Sequence, residues 1–137
     1  MGSIITSLVS VALGGVIGFL SARRISDLNA RATANAKLRA AFAPALAQLY
    51  LGRSHGSTHN CPDFDEYFEA NLPSHAAAIE EFRVFVAPGK GKAYQKAWTD
   101  YYKSAKAGKL VAEFTDGNDP WSVIEGKIKI ILEFTKA

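Results

Sequence analysis

One cysteine, Cys61, stands in 137 residues, so no disulfide framework holds this fold. No charged residue of either sign precedes Arg23. A cleaved signal peptide would carry its positive charge before the apolar run, whereas here the charge follows it, and Leu20-Ser21-Ala22 is a poor cleavage site, so a cleaved leader is not the expectation. There is no phosphate-cradling glycine loop, no strong zinc template, no nucleophile–base motif, no internal repeat and no long low-complexity tract. The net charge of +3 is too mild to imply nucleic acid. With no motif to carry chemistry, the expectation is a protein without catalytic residues or a cofactor.

What is present is organised around Ser3 to Ala22, SIITSLVSVALGGVIGFLSA, twenty residues without a charge. A helix of that length covers roughly the 30 Å hydrocarbon core of a bilayer. Ten of its residues are Ile, Leu, Val or Phe, which favours insertion by roughly 3–6 kcal/mol. Its glycines, serines and Thr6 work against that. A buried core helix seldom runs so long without charge, and the Met1-Gly2 to Thr6 myristoylation pattern is short enough to match by chance. The expectation is therefore a transmembrane anchor over 1–22. Arg23, Arg24 and Arg31 follow it as contacts to the membrane surface, with Lys37 and Arg39 beyond. With every nearby Lys and Arg on one side, the N-terminus is expected outside and residues 23–137 in the cytoplasm. Ser10, Gly14, Gly18 and Ala22 recur every fourth residue, a small-residue face suited to self-association as a homodimer.

Residues 23–43 read as a helical stalk and 44–137 as an all-α soluble domain of about four short helices. Ile25, Leu28, Ala32, Asn35, Phe42, Leu46 and Leu49 fall near one stripe of the stalk helix. Pro44 is expected to kink it near Ala40 or Ala41 and to start the domain, and Gly52 to cap it. Residues 52–62 read as a loop. Asp63 and Glu66 have the spacing of a capping box, and Pro73 that of the first turn of a further helix. Ala87-Pro88-Gly89 reads as a break. A helix follows with Tyr94, Ala97, Trp98, Tyr101 and Ala105 on its apolar face, ended by Gly108. Residues 109–115 fit strand or helix equally, and Asp116-Gly117-Asn118 is a turn. Asp119 and Pro120 then start a last helix bearing Trp121, Ile124, Ile128, Ile131 and Leu132. Phe42, Phe68, Phe82, Phe85, Trp98, Tyr101, Trp121 and Phe134 are the expected core.

The stretches LRAAFAPALAQL (Leu38–Leu49), HAAAIEEFRVFV (His75–Val86) and AYQKAWTDYY (Ala93–Tyr102), with the apolar C-terminal helix, resemble a family of small uncharacterised bacterial single-span membrane proteins. The resemblance covers most of residues 20–137 and implies a bacterial inner membrane. It brings no activity, substrate or catalytic residue with it.

Two side-chain groups bear on function. His55, His59 and Cys61 lie within seven residues, with His75 further on. They are the weak metal candidates, because H-x3-H-x-C matches no zinc template and a site needs all four donors in place. They also carry the rival reading of a metal- or thiol-dependent enzyme or sensor. Lys90, Lys92, Lys96, Lys103, Lys106 and Lys109 form a basic run offset by Asp100. It reads as a solvated helix face or a contact with anionic lipid, and not as a nucleic-acid site, since Trp98 and Tyr101 fall on the other side. The leading expectation is a non-enzymatic, membrane-tethered domain that binds lipid, an unidentified protein partner or a second copy of itself.

Overall fold

A computed structural model describes the backbone of residues 2–54, 62–106 and 120–136, and the side chains of 13–51, 66–106 and 122–136. Among the described residues the chain is all-α, with four helices: α1 (Gly2–Ser54), α2 (Pro62–Arg83), α3 (Gly91–Ala105) and α4 (Pro120–Glu133). The chain divides into two compact units, Met1–Thr33 and Ala34–Ala137.

The first unit is a single helical run. Every side chain from Leu13 to Ala30 is exposed. Among the described residues no helix is long and apolar enough to cross a membrane. The charge-free run 3–22 draws its first half from residues whose side chains lie outside those described.

The second unit begins ten residues before the expected boundary at Pro44. Ala34, Leu38, Phe42, Ala45 and Leu49 are all buried, one stripe of α1 at steps of four, four, three and four. Leu46 is partly buried against the same core, while Ile25 and Leu28, expected on that stripe, are exposed. Pro44 does not end the helix, and α1 runs past Gly52 to Ser54. The proline ring is exposed, so only the Ala40 carbonyl loses its helical partner while the buried stripe continues.

Pro73 behaves in the same way. The expected pair of helices on either side of it is one helix, α2. Phe68, Leu72, His75, Ile79 and Phe82 form a continuous buried stripe at steps of four, three, four and three, with Pro73 outward. Each fully buried Leu, Ile or Phe contributes about 1.5–3 kcal/mol, which together outweigh the roughly 3 kcal/mol penalty of an interior proline. The Asp63 side chain lies outside the described residues, so the expected capping box is not placed.

Past α2 the backbone tightens, with the Phe85 and Val86 amides donating to the Phe82 and Arg83 carbonyls at 2.9 and 3.3 Å. The Lys90 amide then donates to the Ala87 carbonyl at 3.0 Å, and Gly89 takes φ +83°. That is the proline-glycine turn whose third position needs positive φ, and glycine meets it without strain. α3 follows with Tyr94, Ala97, Tyr101, Ser104 and Ala105 buried. It packs between α2 and α4. α4 starts at Pro120 and buries Ile124, Ile128 and Ile131.

Of the expected core, Phe42, Phe68, Phe82 and Tyr101 are fully buried, and Phe85, Trp98 and Phe134 pack against it partly exposed. The side chain of Trp121, the turn 116–118, Asp119, Gly108 and residues 109–115 lie outside the described residues. Lys37 joins α1 to α2 through Glu81 at 2.6 Å. Both side chains are about half exposed, so the pair is worth at most about 1 kcal/mol.

Candidate functional site

The densest polar arrangement lies where α1, α2 and α3 meet. His75 is 1% exposed. Its Nε2 lies 3.0 Å from the Ala41 carbonyl, the one beside the carbonyl that Pro44 leaves without a partner. A carbonyl only accepts, so Nε2 carries the proton. Nδ1 then accepts from the Tyr101 hydroxyl at 2.8 Å, and the imidazole is neutral with both nitrogens satisfied. Phe42 stacks on the ring at 4.4 Å and 18°, and meets Tyr101 edge-on at 5.3 Å. Burial holds the His75 pKa below the ordinary imidazole value, opposed by the bond to Ala41, which raises it. Burial pushes the Tyr101 hydroxyl above its usual range, with a smaller push in the same direction from Tyr67.

A histidine and a hydroxyl in contact can form a nucleophile–base pair. Here Tyr101 is wholly buried and His75 nearly so, and aromatic rings close over both. A substrate has no approach, and the phenol stays protonated. The arrangement is a polar tie between helices.

The sign of its pH dependence follows from the lowered pKa. The unfolded chain binds a proton at His75 more readily than the folded chain does. The stability from the neutral ring is therefore present above about pH 6.5 and is lost as pH falls through the lower folded pKa. Thermal unfolding of the full chain in mild detergent should show a melting temperature that falls below about pH 6.5. In His75→Gln that slope should flatten, although the variant starts lower by about 1–3 kcal/mol for its altered buried hydrogen bonds. The same slope in both proteins would assign the titration elsewhere.

Three smaller polar groups hold the second unit. Tyr94 donates to the Ile79 carbonyl at 3.0 Å inside the core. At the C-terminal end, Asn35 Nδ2 donates to the Thr135 carbonyl at 3.3 Å and Arg39 to Thr135 Oγ1 at 2.8 Å. Asn35 Oδ1 is buried with no hydrogen-bond partner among the described residues. Lys127 on α4 donates to the buried hydroxyl of Ser104 on α3.

Of the expected site residues, His75 is the one among the described residues that belongs to these groups. His55, His59 and Cys61 lie outside the described residues. His75, their suggested fourth member, has both nitrogens committed within the core. No group of three or more His, Cys, Asp or Glu able to hold a metal occurs among the described residues. Gly14, Gly18 and Ala22 are exposed on α1, and the Ser10 side chain is not described. Arg23 and Arg24 are exposed and Arg31 is half-buried. An open pocket of ≈ 320 Å³ is lined by Lys90, Ala93, Glu133 and Phe134. Its described lining holds one charge of each sign.

The part played by His75 had one sequence signal. It occupies the stripe position between Leu72 and Ile79, where only buried residues recur. The Asn35–Arg39–Thr135 group had none, because it joins residues about a hundred positions apart. No protein family, curated protein or solved structure matches the chain.

Proposed function

We propose that the chain is a non-enzymatic helical domain tethered to a membrane by a single span at residues 3–22, where it binds a protein partner or a second copy of itself. The observation that carries the reading is the exposed apolar surface of α1. Leu13, Val16, Ile17, Phe19 and Leu20 are 57–67% exposed on a helix with no charge before Arg23. They point to more than one side of the helix, the pattern of a segment surrounded by lipid rather than one packed on a core. Arg23 and Arg24 would then lie at the phosphate level with the second unit on the cytoplasmic side. The resemblance to the bacterial single-span family favours the inner membrane. Added Cβ atoms on Gly14 and Gly18 would meet nothing within 4 Å. Among the described residues the face they share with Ala22 is therefore open to a neighbouring helix. Crosslinking in membranes reads that contact, and its absence leaves a monomeric tether.

The test is topology. The intact chain should resist alkaline extraction from membranes, and a cytoplasm-active reporter fused after Ala137 should be active. Activity of a periplasm-only reporter at that position would reverse the orientation, and full alkaline release would remove the span.

A further inference from the structure

The outward side of α3 is chemically distinct from the rest of the second unit. Tyr94, Ala97, Tyr101 and Ser104 face the core. Steps of four, three, four and three from Lys92 pass through Lys96, Thr99, Lys103 and Lys106, a line on the opposite side of the helix. All four lysines are exposed. The helix carries one carboxylate, Asp100, which Lys96 engages at 2.6 Å. That lysine bond, followed by the charges of Lys96, Lys127 and Lys103, holds the carboxyl below its usual range. Lys92 and Lys106 form no ion pair among the described residues. From Lys90 to Lys106 there are five lysines against one aspartate, so this segment alone exceeds the +3 of the whole chain. Residues 23–39 carry the same excess, five basic residues against Asp27, so the chain has two basic segments, and the one on α3 lies within the second unit.

Along one edge of the lysine line lie Trp98, expected on the buried side but only half-buried, and Tyr102, 39% exposed, with their rings 5.7 Å apart. An amphipathic helix with lysines outward and Trp and Tyr at its flank matches the headgroup layer of a bilayer. There ammonium groups meet phosphates, and the aromatic rings sit at the boundary of water and hydrocarbon. Single-stranded nucleic acid would need rings splayed along a basic groove. Here the two rings contact each other at the edge of one convex helix face.

We propose that this face of α3 docks the second unit onto an anionic bilayer surface, with Lys92, Lys96, Lys103 and Lys106 on lipid phosphates and Trp98 and Tyr102 at the headgroup level. The proposal rests on the reading of α1 as an anchor, since tethering holds the bilayer at high effective concentration near the domain. Each lysine brought to an anionic surface multiplies the docked population by about fivefold.

The experiment uses the full chain reconstituted in vesicles of pure phosphatidylcholine or with about 30 mol% phosphatidylglycerol. Lysine acetylation rates are read peptide by peptide by mass spectrometry. The expected result is that Lys92, Lys96, Lys103 and Lys106 slow by about fivefold or more, relative to Lys37 on α1 and Lys129 on α4, both exposed and ion-paired, in anionic vesicles only. The ratio within one sample removes any general change in local pH. Equal ratios in both vesicles overturn the docking. Protection by an added oligonucleotide in neutral vesicles, with none from anionic lipid, overturns it in favour of nucleic acid. Flotation reads the anchor separately. A chain that floats with neutral vesicles but shows no α3 protection on anionic ones keeps its anchor and refutes the docking. A chain that fails to float with neutral vesicles, yet binds anionic ones with the α3 lysines protected, supports the docking and refutes the anchor.

Discussion

Replacing Phe42 by alanine is expected to lower the unfolding free energy by about 3–5 kcal/mol. The ring is fully buried, stacks on His75 and meets Tyr101 edge-on. Its loss opens a cavity beside a buried histidine that has no route to water. The ring contacts themselves add about 0.5–1.5 kcal/mol beyond area burial. Denaturant unfolding of the full chain in mild detergent measures the change. Tyr50→Ala is the control on the same helix, because Tyr50 is 74% exposed and should shift stability by less than about 0.5 kcal/mol. A loss of under about 1 kcal/mol for Phe42→Ala would mean that α1 does not supply the core wall described above.

The second large effect concerns location. Leu13 lies at the centre of the charge-free run and is 58% exposed. Arginine at the centre of a span is disfavoured by about 2.5–3.5 kcal/mol, and the leucine contribution is lost as well. The whole run favours insertion by only roughly 3–6 kcal/mol, so one substitution removes most of it. Leu13→Arg should move the chain from the alkaline-resistant membrane fraction to the released fraction. The thermal transition of the second unit should be unchanged, because Leu13 belongs to the first compact unit. Undiminished membrane retention would overturn the anchor. Release accompanied by loss of the transition would instead tie the apolar run to the folding of the domain.

Much of the fold was legible in sequence because it is written in short-range patterns. The all-α class, the break at Ala87-Pro88-Gly89, the buried face of α3 and the start of α4 at Pro120 each follow from spacings within a few residues. Helix period, turn chemistry and first-turn proline are local properties, so they need no knowledge of the partners. The two internal prolines were misread for the same reason. Taken locally, Pro44 and Pro73 each mark a boundary. In the folded chain each faces outward while a buried stripe passes beneath it, and long-range packing outweighs one lost hydrogen bond.

His75 shows the limit of composition-based inference about a site. A histidine not far from His55, His59 and Cys61 reads as a possible ligand when only residue types and spacing are weighed. Its actual partners are a carbonyl on α1 and a hydroxyl on α3, at sequence separations of 34 and 26. Nothing within the segment around it records those contacts. The stalk boundary moved for a related reason, since Ala34 and Leu38 are buried by helices that come later in the chain. The sequence by itself determined the helical class, the buried faces of α3 and α4, the charge-free N-terminal run and the lysine line of α3, all periodic or compositional properties of single segments. Only the tertiary structure decided where the compact unit begins, that α1 and α2 run through their prolines, and that His75 is a neutral tie inside the core. Those outcomes depend on which surfaces meet, and burial against a distant partner outweighs the local preference of a single residue.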